Sequence, residues 1–218
     1  MTADTVAVCD QNTYMVNASL GPRWVRRLAS RTPLALDPAR PFAIKRNVHE
    51  VEVDADPDAL GRALGDVVAD PVEALGRIRV RRRPDRVGRP FEAGERFHGA
   101  LTLGGAAAGG PLARLVRWLE DAFFSDYAEV ERVSDREVRY RYLSGTPIAG
   151  SSTLRIEPAG PARSRLVVVF EFQEVAALAL GALHRFALKR HDEAIQDHVR
   201  KAAARLGARV LRSTIRYA

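Results

Sequence analysis

Apolar and polar residues alternate along much of this chain, with the period of two that is typical of β-strands buried on one face. In the segment 164–174, for example, Leu166, Val168, Phe170 and Phe172 share one face. The short turns between the last four segments of this kind predict antiparallel pairing. The segments with this pattern are 43–53, 78–83, 95–103, 126–133, 137–143, 150–157 and 164–174.

Apolar residues spaced by three and four positions predict helices in other segments. Residues 57–66 and 71–77 each follow an aspartate and begin with proline, which is a common way for a helix to start. Residues 111–124 have a regular apolar face, and residues 22–31 predict a short basic helix.

The longest predicted helix covers residues 176–206, which contain no proline and are rich in strong helix formers. A helical projection gives a wide apolar arc and places Asp192 and Glu193 on the solvent side. His184, His191 and His198 recur every seven residues and fall within the apolar arc.

The order of these elements is a strand, two short helices, further strands and the long final helix. An antiparallel sheet with one apolar face needs a cover, and the final helix is the only predicted element large enough to supply it. We therefore predict an α+β fold in which a curved antiparallel sheet of about six or seven strands wraps around the long C-terminal helix. Its expected organisation is an N-terminal extension (1–42), one ligand-binding domain (43–208) and a C-terminal tail (209–218).

The composition narrows the classes of partner. The formal net charge is +7, but the arginines are scattered among acidic residues without a basic stripe that carries aromatic side chains. We therefore expect no nucleic-acid partner. Cys9 is the only cysteine, no apolar run reaches the ~18–20 residues of a membrane span, and residues 1–19 lack the pattern of a signal peptide. These features predict a cytoplasmic protein.

The basic helix at 22–31 has two interpretations. It could make a peripheral contact with a membrane surface, or it could pack on the domain as an N-terminal arm, which is the interpretation we favour.

The three histidines of the last helix also have several interpretations. A metal site formed by them is disfavoured, because they lie roughly 10 Å apart along the helix axis and one ion needs all its ligands within about 2.1 Å. We therefore predict no metal site. The imidazoles either hydrogen-bond to buried protein groups, or they line a cavity and contact a ligand or transfer protons. The structural interpretation fits His198 best.

Two phenols complete the polar candidates. Tyr140 and Tyr142 share one strand face, so they either enter a cavity or hydrogen-bond to the protein. The Gly-rich stretch at 104–110 lacks the Gly-Lys-Ser/Thr ending of a phosphate-binding loop and predicts a flexible connector. No nucleophile motif is present, so the sequence leaves enzymatic activity undecided, and we expect no cofactor. The candidate ligand-binding residues are Phe97, Leu101, Tyr140, Tyr142, Phe170, Phe172, Leu183, His184 and His191.

Three stretches resemble the START-like (SRPBCC) superfamily, whose members have the helix-grip fold. They are VEVDADPDALGRAL from the end of the first strand, VRYRYLSGTPIAGSSTLRIEPAGPARSRLVVVFEF in the sheet, and HDEAIQDHVRKAAARL in the closing helix. The resemblance covers about residues 43–207. It implies a hydrophobic cavity between the sheet and the C-terminal helix, as in polyketide cyclases and lipid carriers.

The resemblance therefore implies that a small hydrophobic or aromatic ligand, lipid or polyketide-like, binds in this cavity. The alternatives are a polyketide cyclase or dehydratase that uses a cavity histidine or tyrosine, and a lipid carrier that docks on membranes through its basic N-terminal arm. The inserted helix at 111–124, after its Gly-rich connector, is either a lid over the cavity or a static packing element.

Overall fold

The computed structural model describes residues 17–69, 78–101, 114–116, 118, 120–121, 125–175 and 181–218. Within them lie three α-helices of eight or more residues and nine strands. The helices are α1 (Pro22–Ala29), α2 (Pro57–Ala69) and α3 (Gly181–Arg205). The strands are β1 (Asn17–Ser19), β2 (Ile44–Val53), β3 (Ile78–Arg82), β4 (Arg96–Leu101), β5 (Ser125–Val133), β6 (Glu137–Tyr142), β7 (Ile148–Gly160), β8 (Arg163–Glu174) and β9 (Val210–Tyr217).

The described strands form a single sheet in the order β1-β3-β4-β5-β6-β7-β8-β2-β9. All neighbours are antiparallel except β1 and β3. The predicted meander from β4 to β8 is confirmed, and β2 adds to the far side of β8. Gly150 has a φ of 121° and faces the backbone oxygen of Glu171 so closely that a Cβ would clash there, which lets β7 bend within a curved sheet.

The sheet has nine strands where the sequence predicts six or seven, because two segments assigned to the termini join it. Residues 17–19 pair with β3, and Val210–Tyr217 pairs with β2. The predicted C-terminal tail at 209–218 therefore contains an edge strand. The proposed division into extension, domain and tail stays a prediction.

The main core lies where α2 and α3 cross one end of the inner face of the sheet. Val53 and Leu166 from the sheet, Leu60 and Val67 from α2, and Val199 from α3 are almost completely buried there. Apolar residues of α3 thus cover the sheet as its amphipathic pattern predicts, which confirms the α+β architecture.

Helix α1 packs on the opposite, outer face of the sheet. Trp24 lies 5.3 Å from the ring of His98 and 6.3 Å from that of Tyr127, and Leu28 is buried beside them. Because His98 and Tyr127 alternate with the inward Phe97 and Ala128, this contact belongs to the outer face. The segment after α1 also contacts the sheet, because Gln173 of β8 donates a hydrogen bond to the Phe42 carbonyl at 2.7 Å.

Two predictions concern residues outside the described ranges. They are the helix at 71–77 and the Gly-rich connector at 104–110. Residues 114–116, 118, 120 and 121 of the inserted helix are helical, but its proposed role as a lid stays a prediction.

Candidate functional site

Aromatic side chains line the inner face of the sheet beside the first described side chain of α3. We call this region the aromatic chamber and define it by Phe97, Ala128, Tyr140, Tyr142, Ile148, Phe170, Phe172 and Leu188. Its rings form a continuous series: Phe97 lies 5.8 Å from Tyr140, Tyr140 lies 6.3 Å from Tyr142, and Tyr142 lies 5.8 Å from Phe170.

The register of the sheet explains why these residues meet. Phe97 of β4 faces Ala128 of β5, which faces Tyr142 of β6, and residues directly opposite in a ladder share a face. One level further along, Tyr140 faces Ser152, which faces Phe170. The two phenols, which could have belonged to either face, therefore point toward α3.

The chamber has a closed floor and a more open side. Tyr142, Phe170 and Phe172 are buried, whereas Phe97, Tyr140 and Leu188 remain partly accessible. Burial raises the pKa of the Tyr140 phenol and raises that of Tyr142 well above its usual value. Both phenols therefore stay neutral at any physiological pH and can donate a hydrogen bond.

Asp126 borders the aromatic chamber, and sequence analysis does not identify it as a candidate. It precedes Ala128 by two positions, so it lies on the same inner face, and its negative charge acts on both Tyr140 and Tyr142. Burial raises its pKa from 3.8 to about 7. Its side chain is still partly accessible and accepts no hydrogen bond from the described residues. A carboxyl that exchanges a proton near neutral pH beside two phenols can act as an acid or a base.

His191 connects the chamber to a second buried region. Its ring lies 5.0 Å from that of Phe170 and 6.0 Å from that of His49. Burial, reinforced by His49, lowers its pKa to about 4, so the imidazole is neutral. His198, one heptad later, instead contacts the backbone oxygen of Leu64 at 3.1 Å, as the structural interpretation expects.

The second buried region consists of polar side chains, and we call it the polar cluster. Its members are Asn47, His49, His191, Asp192 and Tyr217. Asn47 donates to Oδ1 of Asp192 at 3.0 Å, the Tyr217 hydroxyl donates to its Oδ2, and Nε2 of His49 lies 2.8 Å from Oδ1. Burial raises the pKa of Asp192, but the contacts with these three residues outweigh it and leave that pKa below its usual value.

The prediction that Asp192 faces solvent is wrong, since its side chain is buried. A helical projection treats one side of α3 as free, but in the structure this side is covered. The strands β2 and β9 curve around that side and bring Asn47, His49 and Tyr217 onto it.

A pocket of about 340 Å³ opens beside the floor of the chamber. Phe172 and Leu188 form its apolar part, and Lys45 and Arg46 of β2 lie at its polar side. Both basic residues have acidic neighbours, because Lys45 pairs with Glu174 and Arg46 with Glu171. The pocket is completed by Tyr217 and Ala218.

The candidate residues from the sequence gather in this one region as far as the structure describes them. Phe97, Tyr140, Tyr142, Phe170 and Phe172 belong to the chamber, and His191 borders it. The side chains of Leu101, Leu183 and His184 lie outside the described part. That any of these residues binds a ligand stays a prediction.

The position of α1 gives less support to a membrane contact through residues 22–31 than to the favoured interpretation, an arm packed on the domain. The apolar side chains of α1 face the sheet, and Arg23, Arg26 and Arg27 remain exposed. Peripheral contact through these arginines alone stays a prediction. Among the described helices, none has the length and hydropathy needed to cross a membrane.

Comparison with known proteins gives a result from structure but none from sequence. No family model matches the chain, and no curated protein matches it. One similar solved structure is a point mutant of norcoclaurine synthase from Thalictrum flavum in complex with a transition-state analogue. The TM-score is 0.52 and the sequence identity is 13%. The match covers 77% of this chain and 99% of that one.

A second similar structure is the Zhui aromatase/cyclase from Streptomyces sp. R1128, with a TM-score of 0.51 and 17% identity. It covers 75% of this chain and 96% of that one. Identities this low establish a common fold and nothing finer. The chain therefore has the helix-grip fold, as the sequence resemblance predicts.

Proposed function

We propose that this protein binds a small aromatic or hydrophobic molecule in the aromatic chamber between the sheet and α3. The observation that carries the proposal is the partial accessibility of Phe97, Tyr140 and Asp126 on the inner face of the sheet. Side chains that fill a solid core in this position would be closed to solvent. Concave apolar surfaces with a few polar groups are typical ligand sites.

The polar groups of the chamber suggest the kind of molecule. Asp126 in its neutral form and the phenol of Tyr140 can both donate a hydrogen bond, and Phe97 offers an aromatic ring for stacking. A ring system that carries a carbonyl or hydroxyl group matches these surroundings better than a plain acyl chain does. A polyketide-like aromatic is therefore our preferred ligand class within the proposal, ahead of a lipid.

Filling the chamber should weaken binding. We expect Leu188→Trp to weaken the binding of 1-anilinonaphthalene-8-sulfonate at least about tenfold, which is about 1.4 kcal/mol, because the larger ring would occupy the ligand's space. Probe fluorescence measures the dissociation constant, and native mass spectrometry of freshly purified protein tests whether a co-purified molecule is lost.

Leu206→Trp is the matched control, since Leu206 follows α3 and is 39% exposed. It should bind the probe as the parent protein does. Equal affinity for the parent and Leu188→Trp, with both proteins folded by circular dichroism, would show that the chamber is not the binding site.

A second candidate function is supported by Asp126. A carboxyl with a pKa of about 7 beside phenols suits removal of a proton from carbon next to a carbonyl, the step that starts cyclisation or dehydration of a polyketide-like substrate. The C–H bond would break as an O–H bond forms on Asp126, while Tyr140 donates a hydrogen bond to the carbonyl oxygen. The sequence analysis assigns this chemistry to a cavity histidine or tyrosine.

Deuterium exchange tests this activity without knowledge of the natural substrate. We expect the protein to speed deuterium incorporation into the methyl group of 4-hydroxyacetophenone in D₂O, followed by NMR. Asp126→Asn should lower that rate by about 10²-fold or more. Tyr127→Phe, which changes the outer face of the same strand, should keep it. If the parent exchanges deuterium no faster than buffer alone, the proposed proton transfer is refuted and ligand binding remains the proposed function.

A further inference from the structure

We propose that His49, His191 and Asp192 form a binding site for one divalent transition-metal ion of the zinc type. The proposal is independent of ligand binding in the chamber. It uses only one of the three helical histidines, together with a histidine from β2 and a carboxylate next in sequence to His191.

The first argument is the spacing of the candidate ligand atoms. Each residue offers one atom, and the three atoms lie within 4.8 Å of one another. Nε2 of His49 is 2.8 Å from Oδ1 of Asp192. Two ligands with bonds of 2.0–2.1 Å and an angle of 90–110° at the ion are separated by about 2.9–3.4 Å. Side-chain shifts of less than about 1 Å would therefore place the three atoms around one ion.

The second argument is a set of buried nitrogen atoms without hydrogen-bond partners. Among the described side chains, Nδ1 of His49 and Nδ1 of His191 are enclosed and make no hydrogen bond. Nε2 of His49 contacts Oδ1 of Asp192 at 2.8 Å, so its partner is that carboxylate. Buried polar atoms are nearly always paired, and an ion is one of the few explanations for such atoms. His49 is completely buried, so water from outside does not satisfy it.

The third argument is the support around the carboxylate. Asn47 and Tyr217 both donate to Asp192, from β2 and β9 respectively. Metal-binding carboxylates are typically held in this way by outer hydrogen bonds that fix their orientation. Two imidazoles and one carboxylate suit Zn²⁺ or Fe²⁺ and leave at least one coordination position open.

The site would adjoin the aromatic chamber. The ring of His191 contacts Phe170 at 5.0 Å, and Phe170 is part of the chamber floor. An oxygen atom of a ligand could therefore approach the open coordination position. The competing explanation is a metal-free latch in which the hydrogen bonds to Asp192 only hold α3 against β2 and β9.

Titration with Zn²⁺ and Co²⁺ separates the two explanations. The protein is first treated with a chelator and desalted; calorimetry then gives the stoichiometry for Zn²⁺, and visible absorption reports the coordination of Co²⁺. We expect one ion per chain with a micromolar or lower dissociation constant, and Co²⁺ bands typical of low coordination number. Loss of an outer hydrogen bond typically weakens metal binding about 10–100-fold. His191→Ala and His49→Ala each remove a ligand, so each should weaken binding by more than that.

Two variants serve as controls. His198→Gln alters another buried histidine of α3, which contacts Leu64 and not the polar cluster, and it should bind the ion as the parent does. Tyr217→Phe removes an outer hydrogen bond and should weaken binding about tenfold. If His49→Ala does not fold, His191→Ala, at a partly accessible position, still decides the outcome.

The metal site is refuted if the parent takes up no stoichiometric ion, or if His191→Ala binds Zn²⁺ as tightly as the parent. Either outcome assigns the polar cluster to the latch. Leu188→Trp separates this proposal from the proposed function, because it should lose the aromatic probe and keep the ion.

Discussion

Asp126→Asn should increase the free energy of unfolding by about 4 kcal/mol at pH 8 and by only about 1–2 kcal/mol at pH 5. In the folded protein, burial raises the pKa of Asp126 from 3.8 to about 7. Between these values the unfolded chain has lost a proton that the folded chain retains. The parent therefore loses stability as pH rises from about 4 to about 7, and asparagine, which cannot ionise, avoids this loss.

Urea denaturation of the parent and the variant at the two pH values measures the effect. Asp135→Asn is the matched control, since Asp135 is an exposed aspartate in the turn between β5 and β6. Its effect should stay within about 0.5 kcal/mol at both pH values. An Asp126→Asn gain that is the same at pH 5 and pH 8 would mean that Asp126 titrates normally and is not enclosed in the chamber.

The expected gain also bears on function. A side chain that reduces stability at neutral pH, where a simple amide would not, is typical of a functional site. Asp126 would fulfil this role through hydrogen bonding to a ligand or through proton transfer. The stability experiment therefore tests the pKa of the Asp126 carboxyl, and the deuterium-exchange experiment tests its ability to transfer a proton.

Local periodicity was sufficient to predict most of the sheet. In β2, Val51 and Val53 alternate with Glu50 and Glu52, and the buried and partly exposed positions follow that alternation. The edge strand β9 was not predicted, because only one side of it pairs and most of its side chains remain exposed. Without one buried face, Val210–Tyr217 has no periodic pattern to detect.

The site was predictable only where a residue's own strand or helix determines its environment. Phe170 lies on an apolar strand face, so its inward direction could be predicted. Asp126 looks like an ordinary polar residue at a strand start, and its high pKa arises from burial in a chamber that also holds Tyr140 and Tyr142. The burial of Asp192 likewise depends on neighbouring elements, namely β2 and β9. Such environments come from register and curvature, which a helical projection does not contain.

A buried ion pair closes the end of the chamber near β3 and β4. Arg82 is fully enclosed, and its Nε and Nη2 atoms donate to the two carboxylate oxygens of Glu95 at 2.5 and 2.7 Å. The guanidinium also lies 4.3 Å from the ring of Phe91, and Phe91 lies 5.0 Å from Phe97 of the chamber. The pair therefore supports an aromatic wall of the candidate site.

Glu95→Ala should lower the free energy of unfolding by about 3–5 kcal/mol. Among the described residues, the variant leaves the buried Arg82 guanidinium with the backbone carbonyls of Arg89 and Pro90 as hydrogen-bond partners, and these do not neutralise its charge. Urea denaturation gives the stability, and 1-anilinonaphthalene-8-sulfonate binding reports any loosening of the chamber near Phe97.

The neighbouring pair Arg83–Asp85 provides the control, because both of its side chains are 57% exposed. Asp85→Ala should change stability by less than about 1 kcal/mol. The double variant Arg82→Met/Glu95→Leu should recover much of the loss, since it removes the charge as well as its partner. If Glu95→Ala costs no more than Asp85→Ala, the guanidinium must reach water through a movement of β3, and the end of the chamber is then open rather than closed.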